Sequence, residues 1–159
     1  MRNMVLSILM DNTPGALSRV VGLFSRRGYN IDSLTVGETE NSEVSRMTVS
    51  VSGEDSVLEQ IEKQILKLEN VRKVTELGSS VSVCRELILV KINVNQEDRP
   101  AISAIVDIFR AKIVDVTSDT MMIELTGNAS KINAFIKLLD GYEINEFVRT
   151  GTTGLLRGN

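Results

Sequence analysis

The chain contains no histidine and no tryptophan, and it has a single cysteine. Without an imidazole there is no His general base, no Ser-His-Asp triad and no His-ligated metal, which closes the commonest catalytic repertoires. The one thiol, Cys84, excludes an intramolecular disulfide and a thiolate metal cluster. In the apolar run Val81-Ser82-Val83-Cys84 it reads as a buried small hydrophobe, because no His is present to activate it. Positive charge is not in excess: 18 Lys+Arg against 21 Asp+Glu leave a net charge of −3, which argues against a nucleic-acid partner. No apolar stretch approaches the ~20 residues needed to cross a bilayer. The opening Met1-Arg2-Asn3-Met4-Val5-Leu6-Ser7 turns polar too early for a signal peptide. These absences lead us to expect a soluble, cytoplasmic protein that binds and regulates, with no catalytic residues and no metal ligands of its own.

What is present is an ordinary globular composition, 42% hydrophobic and 25% charged over 159 residues, enough for one medium domain or two small ones. Val5 to Met10 is a short apolar run, as expected of a central strand. Asp11-Asn12-Thr13-Pro14-Gly15 is a cluster of turn and cap residues, after which Ala16, Leu17, Val20, Val21 and Phe24 recur at helical spacing. We expect Asn12 or Thr13 to cap this helix, Pro14 to sit in its first turn and Gly28 to end it. Asn30 to Val36 reads as a strand and 37–42 as a polar hairpin loop. Val44 to Ser52 alternates cleanly, with Met47, Val49 and Val51 on one face and Arg46, Thr48, Ser50 and Ser52 on another that meets solvent or a partner. Val57, Leu58, Ile61, Ile65 and Leu68 mark a second helix, and Val71 to Leu77 a further strand.

The order β-α-β-β-α-β then starts again. Leu87 to Val94 is a strand, and Ile102, Ile105, Val106 and Phe109 define a helix begun near Pro100. Lys112 to Val116 and Met121 to Leu125 form a hairpin, Ile132, Phe135, Ile136 and Leu139 a helix, and Tyr142 to Thr150 a last strand before a tail opened by Gly151-Thr152-Thr153-Gly154. Each half predicts a split βαβ, ferredoxin-like sandwich, so the fold class is α+β with two such units in tandem, residues 1–78 and 79–159. Units this small bury only about 60% of their unfolded-chain surface, and their open edges invite self-association, so a homodimer or larger is expected.

The strand-to-helix turn Asp11 to Leu17 suits a small anion, since the first N–H groups of a helix lack partners, Gly15 admits a ligand close to the main chain and Asn12 adds a short amide. A merely well-capped helix explains the same spacing. Asn30, where the next strand begins, reads equally as a turn residue or as a group that faces the Asn12 turn of a neighbouring subunit. Asp115, Asp119 and Glu124 read as a solvated strand face rather than metal carboxylates, and Met121-Met122 as core filling. RNA-binding modules of this topology need aromatics on central strands, whereas Phe24, Phe109 and Phe135 fall in helices and Phe147 alone in a strand.

The stretches Asn12-Thr13-Pro14-Gly15-Ala16-Leu17-Ser18-Arg19-Val20 and Leu23 to Val36 resemble the ACT domain of the small, regulatory subunit of acetolactate synthase (acetohydroxyacid synthase). Ser45-Arg46-Met47-Thr48, Leu58 to Gln64, Arg85-Glu86-Leu87 with Val90-Lys91, Ile113 to Val116, and Arg149-Thr150-Gly151 with Arg157-Gly158 extend the resemblance along the chain. It implies an effector-binding ACT domain in residues 1–78 and a C-terminal small-subunit domain after it. It also implies a non-catalytic partner of a large subunit that carries thiamine diphosphate, Mg²⁺ and FAD and condenses two pyruvates to 2-acetolactate and CO₂. The small subunit of that family activates the large one and confers feedback inhibition by valine in branched-chain amino-acid synthesis. Its effector sites lie between paired ACT domains. Carried over by residue, Asn12 with the backbone of Gly15, Ala16 and Leu17 would hold the valine carboxylate and amine, and Asn30 and Ile31 of the facing chain would complete the pocket. The other reading is a free-standing amino-acid-binding ACT regulator of another enzyme or of transcription.

Overall fold

The computed structural model of the protein describes residues 1–158. It divides into two compact units, and the division differs from the expected break after residue 78. The first unit runs from Met1 to Cys84 and takes back the chain from Gly151 onward; the second is Arg85–Thr150.

The first unit consists of β1 (Arg2–Asp11), α1 (Ala16–Arg27), β2 (Asn30–Glu38), β3 (Val44–Gly53), α2 (Asp55–Leu66) and β4 (Val71–Glu76), with sheet order β2-β3-β1-β4. All three pairings are antiparallel, and β2 and β4 are the edges. The period-2 residues Met4, Leu6, Ile8 and Met10 of β1 stand beside Met47, Val49 and Val51 of β3, and on them pack Ala16, Val20, Leu23 and Phe24 of α1 and Leu58, Ile61 and Ile65 of α2. Both helices therefore cover one face of the sheet, as a split βαβ unit requires. At about 25 cal/mol per Å² of apolar surface, each buried Val, Leu, Ile, Met or Phe among these contributes roughly 1.5–3 kcal/mol before conformational entropy is subtracted, and Ala16 less.

The second unit repeats the plan. After its first residues, β5 (Ser82–Asn93) leads into α3 (Arg99–Phe109), β6 (Lys112–Val116), β7 (Thr120–Gly127), α4 (Ala129–Leu138) and β8 (Glu143–Arg149), in the order β6-β7-β5-β8. Its core gathers Ile88, Val90 and Ile92 with Met121, Ile123 and Leu125 under Ile102, Val106, Ile132, Phe135 and Leu139. Phe109 and Phe135 meet edge to face with ring centroids 5.3 Å apart. Met121 fills the core as expected, whereas Met122 points to the other face of β7, opposite Lys91.

Several local expectations need correction. Neither Asn12 nor Thr13 caps α1. The N-cap is Gly15, at φ 87°, with no side-chain cap, and Pro14 lies outside the helix. The cause is a competing bond: the Asn12 N–H donates to Glu43 O at 2.8 Å, so Asn12 prolongs the sheet and is not free to turn into the helix. Gly28 ends α1 in the left-handed region as expected, at φ 68°. Gly37 and Glu38 belong to β2, not to the hairpin loop, because they pair with Arg46 and Ser45. The polar face of β3 does not simply meet solvent, since Thr48 and Ser50 are buried. They sit on the central strands, Arg46 Nη1 donates across the same face to Ser7 Oγ at 2.6 Å, and the returning tail lies over it. Cys84 is half-buried rather than buried. The tail contains a short strand that its sequence does not announce, β9 (Thr153–Leu156), paired with β5.

Candidate functional site

Two clusters of expected site residues lie at opposite ends of the first sheet. Asn12, Gly15, Ala16 and Leu17 follow the C-terminal end of β1. Asn30 pairs with Ser52, which also pairs with Asn3 at the start of β1. At a rise of ~3.4 Å per residue, the nine steps from Asn3 to Asn12 put the two clusters roughly 30 Å apart within one chain. A single copy therefore does not bring them together.

At the Asn12 end, both hydrogens of the side-chain amide are in use: Nδ2 donates to Glu38 Oε1 at 3.0 Å and to Ser42 O at 2.8 Å. That leaves its carbonyl oxygen as the side chain's acceptor. Ala16 N–H donates to Thr13 O at 3.2 Å and Arg19 N–H to Gly15 O at 3.0 Å, closing the first turn of α1 over an uncapped N-terminus that carries no acidic residue. The N–H groups there and the positive end of the helix dipole favour an anion. Gly15 can adopt its positive φ because it lacks a Cβ. Ala16 is buried and anchors the turn, while Leu17 is 39% exposed beside it.

At the other end, the Asn30 amide donates to Asp32 Oδ1 at 3.1 Å, and Asp32 also accepts from Asn3 Nδ2 at 3.0 Å and from the Ser52 hydroxyl. This web spans the beginnings of β1 and β2 and the end of β3 and leaves the Asn30 side-chain oxygen available. Ile31 is half-buried against the core. A cleft of about 430 Å³ opens next to it, lined by Arg27, Gly28, Tyr29, Asn30, Ser52 and Gln60 among others.

Between the two clusters runs the free edge of β2. Leu34 pairs with Val49 and Val36 with Met47, so both point to the helix-covered face, yet they stay 37% and 45% exposed because no neighbouring strand covers that flank. Glu38, Leu34 and Val36 do not stand out in the sequence as site residues. Gly37 and Glu38 read as part of the hairpin loop, and Asn30 to Val36 simply as a strand. Only the sheet order, which makes β2 an edge, turns them into surface.

Among the described residues no group of three or more His, Cys, Asp or Glu side chains is placed to hold a metal ion, and no helix is long and apolar enough to cross a membrane.

Comparison with known proteins matches this architecture in both units. The profile described as "AHAS small subunit-like ACT domain" matches residues 6–73, and that described as "Small subunit of acetolactate synthase" matches residues 85–158. A probable acetolactate synthase small subunit of Archaeoglobus fulgidus is 49% identical over 154 residues, covering 97% of this chain and 96% of the relative. The acetolactate synthase isozyme 3 small subunit of Escherichia coli is 47% identical over 156 residues, covering 98% and 96%. The crystal structure of the acetolactate synthase small subunit from Thermotoga maritima is similar at 43% identity and a TM-score of 0.92, covering 100% of this chain and 99% of that one.

Proposed function

Since the chain belongs to the acetolactate synthase small-subunit family, with an ACT-type domain in its first half, we propose that it activates a thiamine-diphosphate-dependent large subunit and imposes feedback inhibition by valine. Condensation of pyruvate to 2-acetolactate would then reside in the large subunit with its thiamine diphosphate, Mg²⁺ and FAD. The chain's own task would be to sense the end product in the cytoplasm and transmit its presence. A chain without histidine suits that division of labour.

The observation that carries this reading is the placement of Asn12 and Asn30 at the two ends of one free strand edge. If β2 pairs antiparallel with β2 of a second copy about a two-fold axis near Leu34, Asn30 of the partner subunit falls opposite Glu38, the residue that holds Asn12. Two half-sites that are remote in one chain thus become two shared sites in a dimer. In each, the N–H groups at the start of α1 would take the valine carboxylate, with Gly15 allowing close approach and Ala16 and Leu17 supplying the first turn. The Asn12 side-chain oxygen, its amide hydrogens being committed to Glu38 and Ser42, would accept from the ammonium. The free oxygen of Asn30 and the flank of Ile31 from the partner would close the site.

Burying a branched aliphatic side chain supplies only ~1.5–3 kcal/mol. The charged ends must therefore provide the rest of the affinity, which is why a helix terminus and two amides are needed. Because the site would exist only in the dimer, valine binding and subunit arrangement are linked. Coupling to the large subunit of the usual ~1–3 kcal/mol would change the affinity for valine, and reciprocally that for the large subunit, by about 5–150-fold. The deciding experiment mixes the purified chain with its large subunit and follows acetolactate formation with and without valine. Stimulation that valine reverses is expected; a rate indifferent to both additions would refute the proposal.

A further inference from the structure

The chain re-enters the first unit at Gly151, one peptide bond after Thr150. Within the second unit, the Thr150 N–H donates to Leu87 O at 3.0 Å and the Thr150 hydroxyl accepts from the Leu87 N–H at 2.9 Å. Immediately beyond, both backbone groups of Thr152 are engaged by β2: its N–H donates to Ser33 Oγ at 3.3 Å, and its carbonyl accepts from Thr35 Oγ1 at 3.2 Å. Ser33 and Thr35 are two residues apart and project from the face of β2 turned away from the helices. Leu34, between them, projects to the helix side and leaves its backbone bare on the tail's side. Gly151 rests on that bare backbone. A Cβ added there would come within 2.8 Å of Leu34 N and 2.9 Å of Leu34 O, leaving no room for any larger residue unless the backbone shifts.

The far end of the tail is pinned as well. A Cβ on Gly154 would lie 2.7 Å from Cys84 Sγ and from Val83 O, β9 pairs with β5, and Arg157 N–H donates to Val81 O at 2.7 Å. By contrast, β2 is held by sheet bonds on one side only, with a register break between Ile31 and Ser33. As an edge strand it stands to gain from an external support.

We infer that residues 151–156 form a strap that fixes β2 from its outer face, so that Gly151, Thr152, Ser33 and Thr35 are positioning residues for the effector response. The inference rests on the reading of β2 given under Proposed function, since none of these four residues belongs to the proposed valine site. The physical cost is simple. An unstrapped β2 samples displaced positions, and a ligand that binds only the ordered position loses affinity in proportion to the population of that position.

The test uses Gly151→Val and Thr35→Val in the full chain, with Thr35→Ser as the conservative variant that keeps the hydroxyl. Amide hydrogen exchange on the small subunit alone should show residues 32–38 exchanging about tenfold faster or more in the two valine variants. Thr35→Ser should exchange as wild type, and β7 of the second unit should be unaffected. In the reconstituted holoenzyme, the valine concentration for half-inhibition should rise about tenfold, corresponding to a tenth of the ordered population, while maximal activation without valine is retained. Unchanged exchange at 32–38 in both valine variants overturns the strap. Faster exchange with an unaltered valine response overturns its part in regulation. A wild-type holoenzyme that ignores valine, alongside the expected exchange changes, sinks the effector reading and leaves the strap standing.

Discussion

The side-chain amide of Asn12 donates to Glu38 Oε1 at 3.0 Å, which ties the turn before α1 to the last residue of the edge strand β2. The bond engages the nitrogen of the Asn12 amide and leaves its oxygen as the acceptor. Removing the acceptor should loosen that arrangement. Glu38→Ala is expected to weaken valine binding by roughly 0.5–1.5 kcal/mol, the net worth of one hydrogen bond. Glu38→Gln, which keeps the oxygen, should bind nearly as wild type. Titration calorimetry separates the two.

In the proposed site, substitution of the asparagines themselves would act at the ligand. Asn12→Ala and Asn30→Ala should each cost about 1–3 kcal/mol of valine affinity while sparing activation of the large subunit. Wild-type affinity in both variants would reject the placement of the site.

Gly15 stands at φ 87°, a conformation that an L-residue with a Cβ adopts only at a cost of roughly 1–2 kcal/mol. No atom would obstruct the added methyl of Gly15→Ala, so the loss comes from the backbone alone. Thermal unfolding should show that loss for Gly15→Ala and a smaller one for Gly15→Asn, because asparagine tolerates the left-handed region better.

The flank of β2 predicts the assembly state. Leu34 and Val36 are more than a third exposed at a free edge, and if β2 pairs with β2 of a second copy as proposed, Val36→Glu should shift that dimer to monomer in sedimentation velocity without unfolding the chain, since the edge position leaves the new carboxylate access to water. A dimer that survives this change would move the interface elsewhere.

In the second unit, Arg149 embraces Glu86 with Nε at 2.8 Å and Nη2 at 3.3 Å and also donates to Asn133 Oδ1 at 2.8 Å. The Glu86 side chain is only 10% exposed, so its loss of partners is not made good by water. Arg149→Ala should cost roughly 1.5–3 kcal/mol in urea unfolding, and Arg149→Lys should recover little because the bidentate fork is lost. Arg2→Ala, which removes an ion pair to the 78%-exposed Asp55, should change stability by no more than about 1 kcal/mol.

Much of this fold is legible along the chain because its signals are local. The period-2 run of β3 and the spacing of Ala16, Val20, Leu23 and Phe24 each name an element and the face it buries, and the order of elements, read twice, names the architecture. The candidate site was legible only in part. Asn12 and Gly15 stand out as turn residues, but Glu38 does not, because its role depends on a contact across 26 positions. The expected cap on α1 failed for the same reason: distant partners, Glu43 for its N–H and Glu38 and Ser42 for its side-chain amide, hold Asn12 at the sheet and away from the helix.

Hydrophobic periodicity by itself determined the helices, the strands of the two repeated units and their duplication, though not β9 in the tail, since burial of one face per element follows from side-chain order alone. Which strand became an edge, where Asn12 spends its hydrogens and why Gly151 admits no side chain were decided only when distant segments met. Those features are pairwise: each depends on the distance between two backbones, and a linear pattern carries no record of that distance.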